Sequence, residues 1–355
     1  MSLILMDKIL VIKLRYIGDV LLTSPVLKNI RLTYPNARLD ILVNPGTAEV
    51  LTHNQDIDKV IFVDRGSFIR QLAFIRELRR MKYDLVIDLT DSDRSAILTY
   101  LSGALMRVGY NSEHRWRGRC YTQIVQANRD KMHTVDYQLE ALRLLDIPIK
   151  SSELILPLSQ KDEDVAEKIL TECNLDDGKD IILIHPGARW WFKSWPPEYF
   201  ARLAGAIQQD LNCHVIFAGS KADQRVASKI QNMMPTKAVS LVGKTTILQL
   251  AALLKRCRLF IGNDNGVMHV AAAVETPVIS FFGLSSPLLW GPRGSGHTIF
   301  YKGIDCSPCF PNGCVRGDQS CMRMITVEEV FKGVRNKLSA LKANPSSIEP
   351  SKCEL

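Results

Sequence analysis

The stretch Leu259-Phe260-Ile261-Gly262-Asn263-Asp264-Asn265-Gly266-Val267-Met268-His269 reads as a buried strand running through a glycine turn into a helix. A strand-length apolar run followed by such a turn and a helical pattern is one half of a βαβ unit, and a chain that repeats it builds a parallel sheet. The unit recurs on both sides. In the same half of the chain the β-branched runs 181–185, 215–218, 239–242 and 278–282 predict further strands. The helix after Pro196-Pro197 carries Phe200, Leu203, Ala204, Ile207 and Leu211 on one stripe, and another carries Ile247, Leu250, Ala251 and Leu254. In the first half, strands are predicted at 9–14, 39–43, 60–63, 85–89 and 107–109. Helices are predicted at 20–34 and 67–82, with weaker patterns over 92–101 and 134–145.

Between the halves, Pro148, Pro157 and the polar run 176–180 bracket one isolated helix near 160–173, and the boundary is placed there. The fold class is α/β: two successive doubly wound, Rossmann-like domains, 1–165 and 175–325, with a closing helix over 326–343. Ligands of such sheets sit at the carboxyl ends of the strands, so a central cleft faced by both domains is the expected active site. The tail 344–355, rich in Ser, Pro and charge, is expected to fray.

With 355 residues, 46% of them hydrophobic and 23% charged, the composition excludes a disordered or fibrous chain. The 45 Lys and Arg outnumber the 37 Asp and Glu, giving a formal charge of +8. That excess points to an anionic partner: nucleic acid, a phosphorylated substrate or an acidic membrane surface. No nucleic-acid-binding module is recognisable, which leaves the last two. Residues 1–7 carry neither a basic n-region nor a long apolar run, and no apolar run approaches the roughly 20 residues needed to span a bilayer. A cytoplasmic location is expected.

Four loops at strand ends carry candidate chemistry. The first is Arg15-Tyr16-Ile17-Gly18-Asp19-Val20, where one glycine allows close backbone approach and Asp19 either caps the following helix or presents a carboxylate at the rim. With a single glycine it is no dinucleotide-binding fingerprint, which argues against a dehydrogenase. The second, His185-Pro186-Gly187-Ala188-Arg189 continuing to Lys193, places Arg189 and Lys193 before a helix N-terminus, an anion site or else a solvated pair beside an aromatic cluster. In the third, Gly219-Ser220-Lys221-Ala222-Asp223, Asp223 is either a helix cap or an acceptor for a ribose. The fourth is the opening stretch, where Asp264, Asn265, Gly266 and His269 share one helix start whose first amides suit an anion. The loop at 282–287 lies on the same rim.

At these residues the sequence resembles the heptosyltransferases of glycosyltransferase family 9. The matching pieces are Lys13-Leu14-Arg15-Tyr16-Ile17-Gly18-Asp19-Val20-Leu21-Leu22-Thr23-Ser24-Pro25, then Tyr83-Asp84-Leu85-Val86-Ile87-Asp88-Leu89, Lys193-Ser194-Trp195-Pro196, and the segments 262–269 and 276–283. They extend from residue 8 to about 330. Stretches 13–25 and 83–91 are most similar to the heptosyltransferase III branch. The resemblance implies a GT-B fold and an inverting, metal-independent transfer of heptose from ADP-heptose to the lipopolysaccharide core, with no cofactor. It implies Asp19 as general base, Lys193 at the donor phosphates, Asp264, Asn265, Gly266 and His269 at the donor, and Asp223 near the ribose; Arg189 joins the donor set. Gly187 or Ala188 stands where the family has a donor-contacting Thr. Arg15 and Gly18 fall on the acceptor side, as does Arg115-Trp116-Arg117-Gly118-Arg119. There Arg115, Arg117 and Arg119 are expected at the phosphates and carboxylates of a core–lipid A acceptor or at the inner leaflet of the inner membrane, or else form a solvated loop. Competing readings are a GT-B transferase using a UDP- or GDP-sugar and a sugar-nucleotide-binding protein without activity.

Two features stand apart. Arg70, Arg76, Arg79, Arg80 and Lys82 lie on one helix and read as a solvated face. Cys306, Cys309, Cys314 and Cys321 have a spacing that suits either a structural zinc or idle thiols in a loop; the resemblance implies no catalytic metal.

Overall fold

The computed structural model describes residues 6–64, 66–306 and 313–343. They form two compact units that divide between Pro157 and Leu158. The first holds β1 (Lys8–Lys13), β2 (Arg38–Val43), β3 (Lys59–Phe62), β4 (Leu85–Asp88), β5 (Met106–Tyr110) and β6 (Gln123–Val125), ordered β3-β2-β1-β4-β5-β6. The second holds β7 (Ile181–His185), β8 (His214–Phe217), β9 (Val239–Ser240), β10 (Leu259–Asn263), β11 (Val278–Phe282) and β12 (Thr298–Tyr301), ordered β12-β11-β10-β7-β8-β9. Every pairing is parallel.

Both sheets follow the doubly wound order, so winding reverses between β1 and β4 in one and between β7 and β10 in the other. Those are the crevices where such sheets hold ligands. The central strands are apolar on both faces because helices cover both faces: β7 and β10 are buried at every position.

The predicted helix over 20–34 is two helices, Ile17–Leu21 and Ser24–Thr33. Pro25, in the first turn of the second, has no amide to continue a helix through it. The Thr23 hydroxyl donates to the Asp19 carbonyl at 3.0 Å across the break. Strands β6 and β12 are additional to the predicted set; both are short edge strands only partly buried.

The helix near 160–173 is Gln160–Glu172, and it belongs to the second unit rather than ending the first. It packs against the Ile247–Arg256 helix, and its Glu163 takes Lys255 at 2.6 Å. The closing helix, Val327–Ala343, sets Val330, Val334 and Leu338 into the same core as Trp195 and Phe200. The tail 344–355 lies outside the described residues.

A side chain latches the end of the first unit. Asn29, fully buried in the Ser24–Thr33 helix, donates to the carbonyls of Pro25 and Ser151, both at 2.7 Å, and accepts the Lys150 amide at 2.6 Å. No helix among the described residues is long and apolar enough to cross a membrane.

Candidate functional site

At the crevice of the first sheet, β1 ends on Lys13, an ammonium after the apolar run 9–12. Its side chain is buried and donates to the Leu89 carbonyl at 2.8 Å, just past β4. Burial pushes its pKa down to about 8; the Asp19 carboxylate pulls it up, while Arg15 and Arg129 push it further down. Asp19 is the third residue of the Ile17–Leu21 helix, and the N-cap is Tyr16, so Asp19 does not act as the cap. Gly18 is buried in the same turn, and the Arg15 guanidinium is turned back onto the Thr90 carbonyl through Nε and Nη2, at 3.3 and 3.1 Å.

Behind this rim lies a scaffold of buried charge. Asp88 at the end of β4 is fully buried, accepting from the Thr90 amide and the Tyr121 hydroxyl, both at 2.8 Å. Burial pushes its carboxyl pKa up. Arg117 is also buried, with Asp91 at 2.8 Å, Glu113 at 3.1 Å and Asp93 at 3.3 Å. This corrects the expectation that Arg117 meets the acceptor: three carboxylates hold it inside, where it ties the 91–93 loop to the 3-10 turn Trp116–Cys120. Arg115 is half-exposed and pairs with Glu113 at 3.3 Å, and Arg119 is exposed. Of the predicted basic trio, these two reach solvent.

In the second unit, β7 ends on His185 and β10 on Asn263, with Gly262 in register with His185. Two short-range frames hold the intervening loop. Asn263, fully buried, accepts the Trp195 amide at 2.9 Å and donates to the Pro186 carbonyl at 2.8 Å. Trp195, also fully buried, stacks on Phe281 at 4.5 Å and donates from Nε1 to the Ile325 carbonyl at 2.9 Å.

Lys193, two residues before that anchor, meets Asp264 at 2.5 Å. Asp264 is buried and takes the Ser285 hydroxyl on the same oxygen, Oδ2. Lys193 and Asp264, each expected separately at the donor, therefore stand together, with the carboxylate behind the cation. Asp264 holds the Lys193 ammonium in place.

Asn265 is the N-cap of the Gly266–Ala273 helix and accepts the amides of Val267 and Met268 at 3.0 and 3.2 Å. Its amide nitrogen donates to the Gly187 carbonyl at 3.0 Å and faces His185 Nδ1 at 3.0 Å. Because that amide nitrogen can only donate, Nδ1 is the acceptor; burial pushes the His185 pKa down, Asp223 opposing it. Gly266 is half-buried in the first turn, and His269 is buried one turn in. Arg189 is exposed, its guanidinium 4.9 Å from the Trp190 ring centroid.

Asp223 is tied into the turn that opens the Gln224–Met233 helix. In a capping box, its Oδ2 accepts the Ser220 amide at 2.8 Å and the Ser220 hydroxyl at 2.7 Å. A Cβ on Gly187 would stand 2.1 Å from Asp223 Oδ1, so a side chain there would require the Asp223 carboxylate to move. Gly187, Phe192, Asp223 and Arg225 are among the residues lining a cavity of about 680 Å³ within this unit, a volume ordinary for a small-molecule site.

Three residues that sequence reasoning missed belong to these rims: Lys13, Asn263 and Ser285. The first two were marked by a polar side chain closing an apolar run, 9–12 and 259–262; Ser285 lies in the 282–287 loop already placed on this rim, with nothing to single it out within it. Among the described residues no group of three or more His, Cys, Asp or Glu side chains converges as a metal site. Cys309 of the zinc spacing lies outside the described residues.

Known proteins share the family and the fold. The family model for glycosyltransferase family 9 (heptosyltransferase) matches residues 71–319. The chain is 32% identical over 302 residues to lipopolysaccharide heptosyltransferase 3 of Escherichia coli K12, covering 82% of this chain and 86% of that one. It is 26% identical to the lipooligosaccharide heptosyltransferase 2 of Haemophilus influenzae over 82% of this chain and 87% of that one. Among solved structures, a family 9 glycosyl transferase from Veillonella parvula superposes with a TM-score of 0.83 at 25% identity, covering 94% of this chain and 97% of that chain. E. coli ADP-heptose lipopolysaccharide heptosyltransferase II shares the fold, with a TM-score of 0.76 at 22% identity over 94% and 99% of the two chains. The two doubly wound units are thus the two Rossmann-like units of the GT-B fold, and the chain belongs to glycosyltransferase family 9, the heptosyltransferases.

Proposed function

We propose that this heptosyltransferase moves L-glycero-D-manno-heptose from ADP-heptose to the inner core of lipopolysaccharide, inverting the anomeric centre and needing no metal. The observation that carries the reading is the Lys193–Asp264 pair: a cation fixed by a buried carboxylate at the winding reversal of the second sheet, where an anionic leaving group belongs. The similarity to an enzyme named lipopolysaccharide heptosyltransferase 3 supports the acceptor class.

In this mechanism Asp19 takes the proton of an acceptor hydroxyl as the oxygen attacks the anomeric carbon. The new carbon–oxygen bond forms as the bond to the ADP oxygen breaks on the opposite face. Charge gathers on the diphosphate, and a preorganised ammonium at Lys193 stabilises that charge more in the transition state than in the ground state. Since Asn265 already takes the amides of Val267 and Met268, the helix contributes to the diphosphate through the Gly266 amide and the net dipole of its first turn.

The test is transfer from labelled ADP-heptose to defined core acceptors in the presence of a chelator. Asp19→Ala is expected to lose turnover by about 10²–10⁴-fold while keeping donor affinity. Lys193→Gln is expected to lose roughly 10²-fold, mostly in turnover. Near-normal rates in the Asp19 variant, dependence on added divalent metal, or preference for a UDP- or GDP-sugar would each overturn the corresponding part of the assignment.

A further inference from the structure

His185 closes β7, with β8 on one side of it and β10 on the other. Its ring is buried, and no step of the transfer mechanism uses it. Yet the imidazole meets residues of three rim loops. Nδ1 faces the Asn265 amide nitrogen at 3.0 Å, in the loop after β10. Nε2 lies 3.8 Å from Asp223 Oδ2, in the turn after β8. On its own loop, a Cβ on Gly187 would stand 2.9 Å from the ring's Cε1, so glycine lets backbone and ring pack closely.

Asn265 has no hydrogen-bonding capacity to spare. Its oxygen accepts the amides of Val267 and Met268. Its nitrogen has two hydrogens, one for the Gly187 carbonyl and one for His185 Nδ1. Turned over, the side chain would set its oxygen against that carbonyl and its hydrogens against the helix amides. The network therefore admits one orientation of Asn265 and one neutral tautomer of the ring, with the proton on Nε2 towards Asp223. A second proton would put an N–H at Nδ1 against an N–H of Asn265, and the contact would break.

The groups that face the ring are few. Burial lowers its pKa, while Asp223 and then the carbonyls of His185 and Gly187 raise it; Asn265, from the loop after β10, is uncharged. The net direction is downward from 6.5, so the ring charges only in more acid solution.

We propose that His185 is a positioning residue of the donor site: its neutral ring fixes Asn265, and through Asn265 the start of the Gly266–Ala273 helix. Protonation unseats Asn265 and weakens binding of the nucleotide. The proposal rests on the donor reading of this rim. Two effects compete when the ring is charged. A bound diphosphate attracts an imidazolium, whereas the clash of N–H with N–H displaces Asn265 from the helix amides. The clash acts at contact and the attraction across the intervening Asn265, so the clash decides.

The experiment is calorimetric titration of the full chain with ADP between about pH 8 and about pH 5, a span that brackets ordinary imidazole titration. His185→Asn keeps an acceptor oxygen near the Nδ1 position and cannot titrate; His185→Phe keeps a ring and removes the acceptor. The terminal phosphate of ADP titrates in the same span for every protein, so the parent-to-His185→Asn ratio of affinities isolates the imidazole. That ratio should fall about tenfold from the upper end of the span to the lower, as for one buried hydrogen bond. At the upper end His185→Phe should bind about tenfold more weakly than the parent, and His185→Asn should recover most of the loss. A ratio that is flat, or that rises in acid, overturns the proposal, as does parent-like binding by a folded His185→Phe. Should circular dichroism show that variant unfolded, the ratio between the parent and His185→Asn still decides. A parent that binds no ADP at any pH overturns the donor reading and the proposal with it, whereas ADP binding with a flat ratio overturns the role of His185 alone.

Discussion

The two sheets share a strand order and a winding reversal, yet their rims arrange charge in opposite ways. In the first unit the cation is inside: Lys13 is buried behind a half-buried Asp19, and Arg117 is enclosed by Asp91, Asp93 and Glu113. In the second the carboxylate is inside: Asp264 is the more buried partner and Lys193 the more accessible one, with side-chain exposures of 7% and 15%. The group left outward differs accordingly, a carboxylate suited to accept a proton on one rim and an ammonium suited to meet an anion on the other. Identical topology thus fixes where a rim is, while the sign of the buried partner decides what the rim can do.

The comparison can be broken most directly at the buried charges of the first rim. Arg117→Met leaves a buried carboxylate without its cation, and a loss of about 3–5 kcal/mol in urea unfolding is expected. A loss under 1 kcal/mol would mean that the cage is ornamental and that Arg117 is available to a ligand after all.

Next in size is a pH effect at Lys13. Its folded pKa, about 8, lies below the ordinary 10.5, so between those values the unfolded chain binds more protons than the folded one. Stability contributed through this group therefore rises with pH across that window, by about 3 kcal/mol in all. The difference in unfolding free energy between the parent and Lys13→Met should shift by that amount in the parent's favour from pH 8 to 10.5, and a flat difference would place the ammonium in water.

On the second rim the expected losses are kinetic. Asp264→Asn removes the charge that orients Lys193; transfer efficiency should fall about tenfold, the equivalent of about 1.4 kcal/mol, with little change in melting temperature. Ser285→Ala deletes one hydrogen bond to that carboxylate and should cost two- to fivefold. If Ser285→Ala proved more damaging than Asp264→Asn, the hydroxyl rather than the carboxylate would be the group that matters there.

Most of the architecture was legible because parallel strands covered on both faces write continuous apolar runs, as at 181–184 and 259–261. Edge strands β6 and β12, three and four residues long, were not. Lys193 and Asp264 were each legible as members of motifs, but their contact was not, because it joins residues 71 positions apart through a loop whose path Trp195 and Asn263 set. Arg117 misled for a related reason. A run such as Arg115-Trp116-Arg117-Gly118-Arg119 reads as one basic surface, whereas a 3-10 turn sends alternate side chains in different directions. Asp223 shows the reverse case: its capping role is local, set by Ser220 three residues earlier, and the sequence held both readings open.

The Asn29 latch bears on how the chain matures during synthesis. Its partner Ser151 lies 122 residues downstream, which a ribosome working at roughly 5–20 residues per second supplies some 6–24 seconds later. Throughout that interval the amide that ends fully buried has no Ser151 carbonyl to bond, so the helix carrying it cannot settle into its final packing. The first unit therefore reaches its finished form only as translation passes its last residues, and the Gln160–Glu172 helix of the second unit is made next.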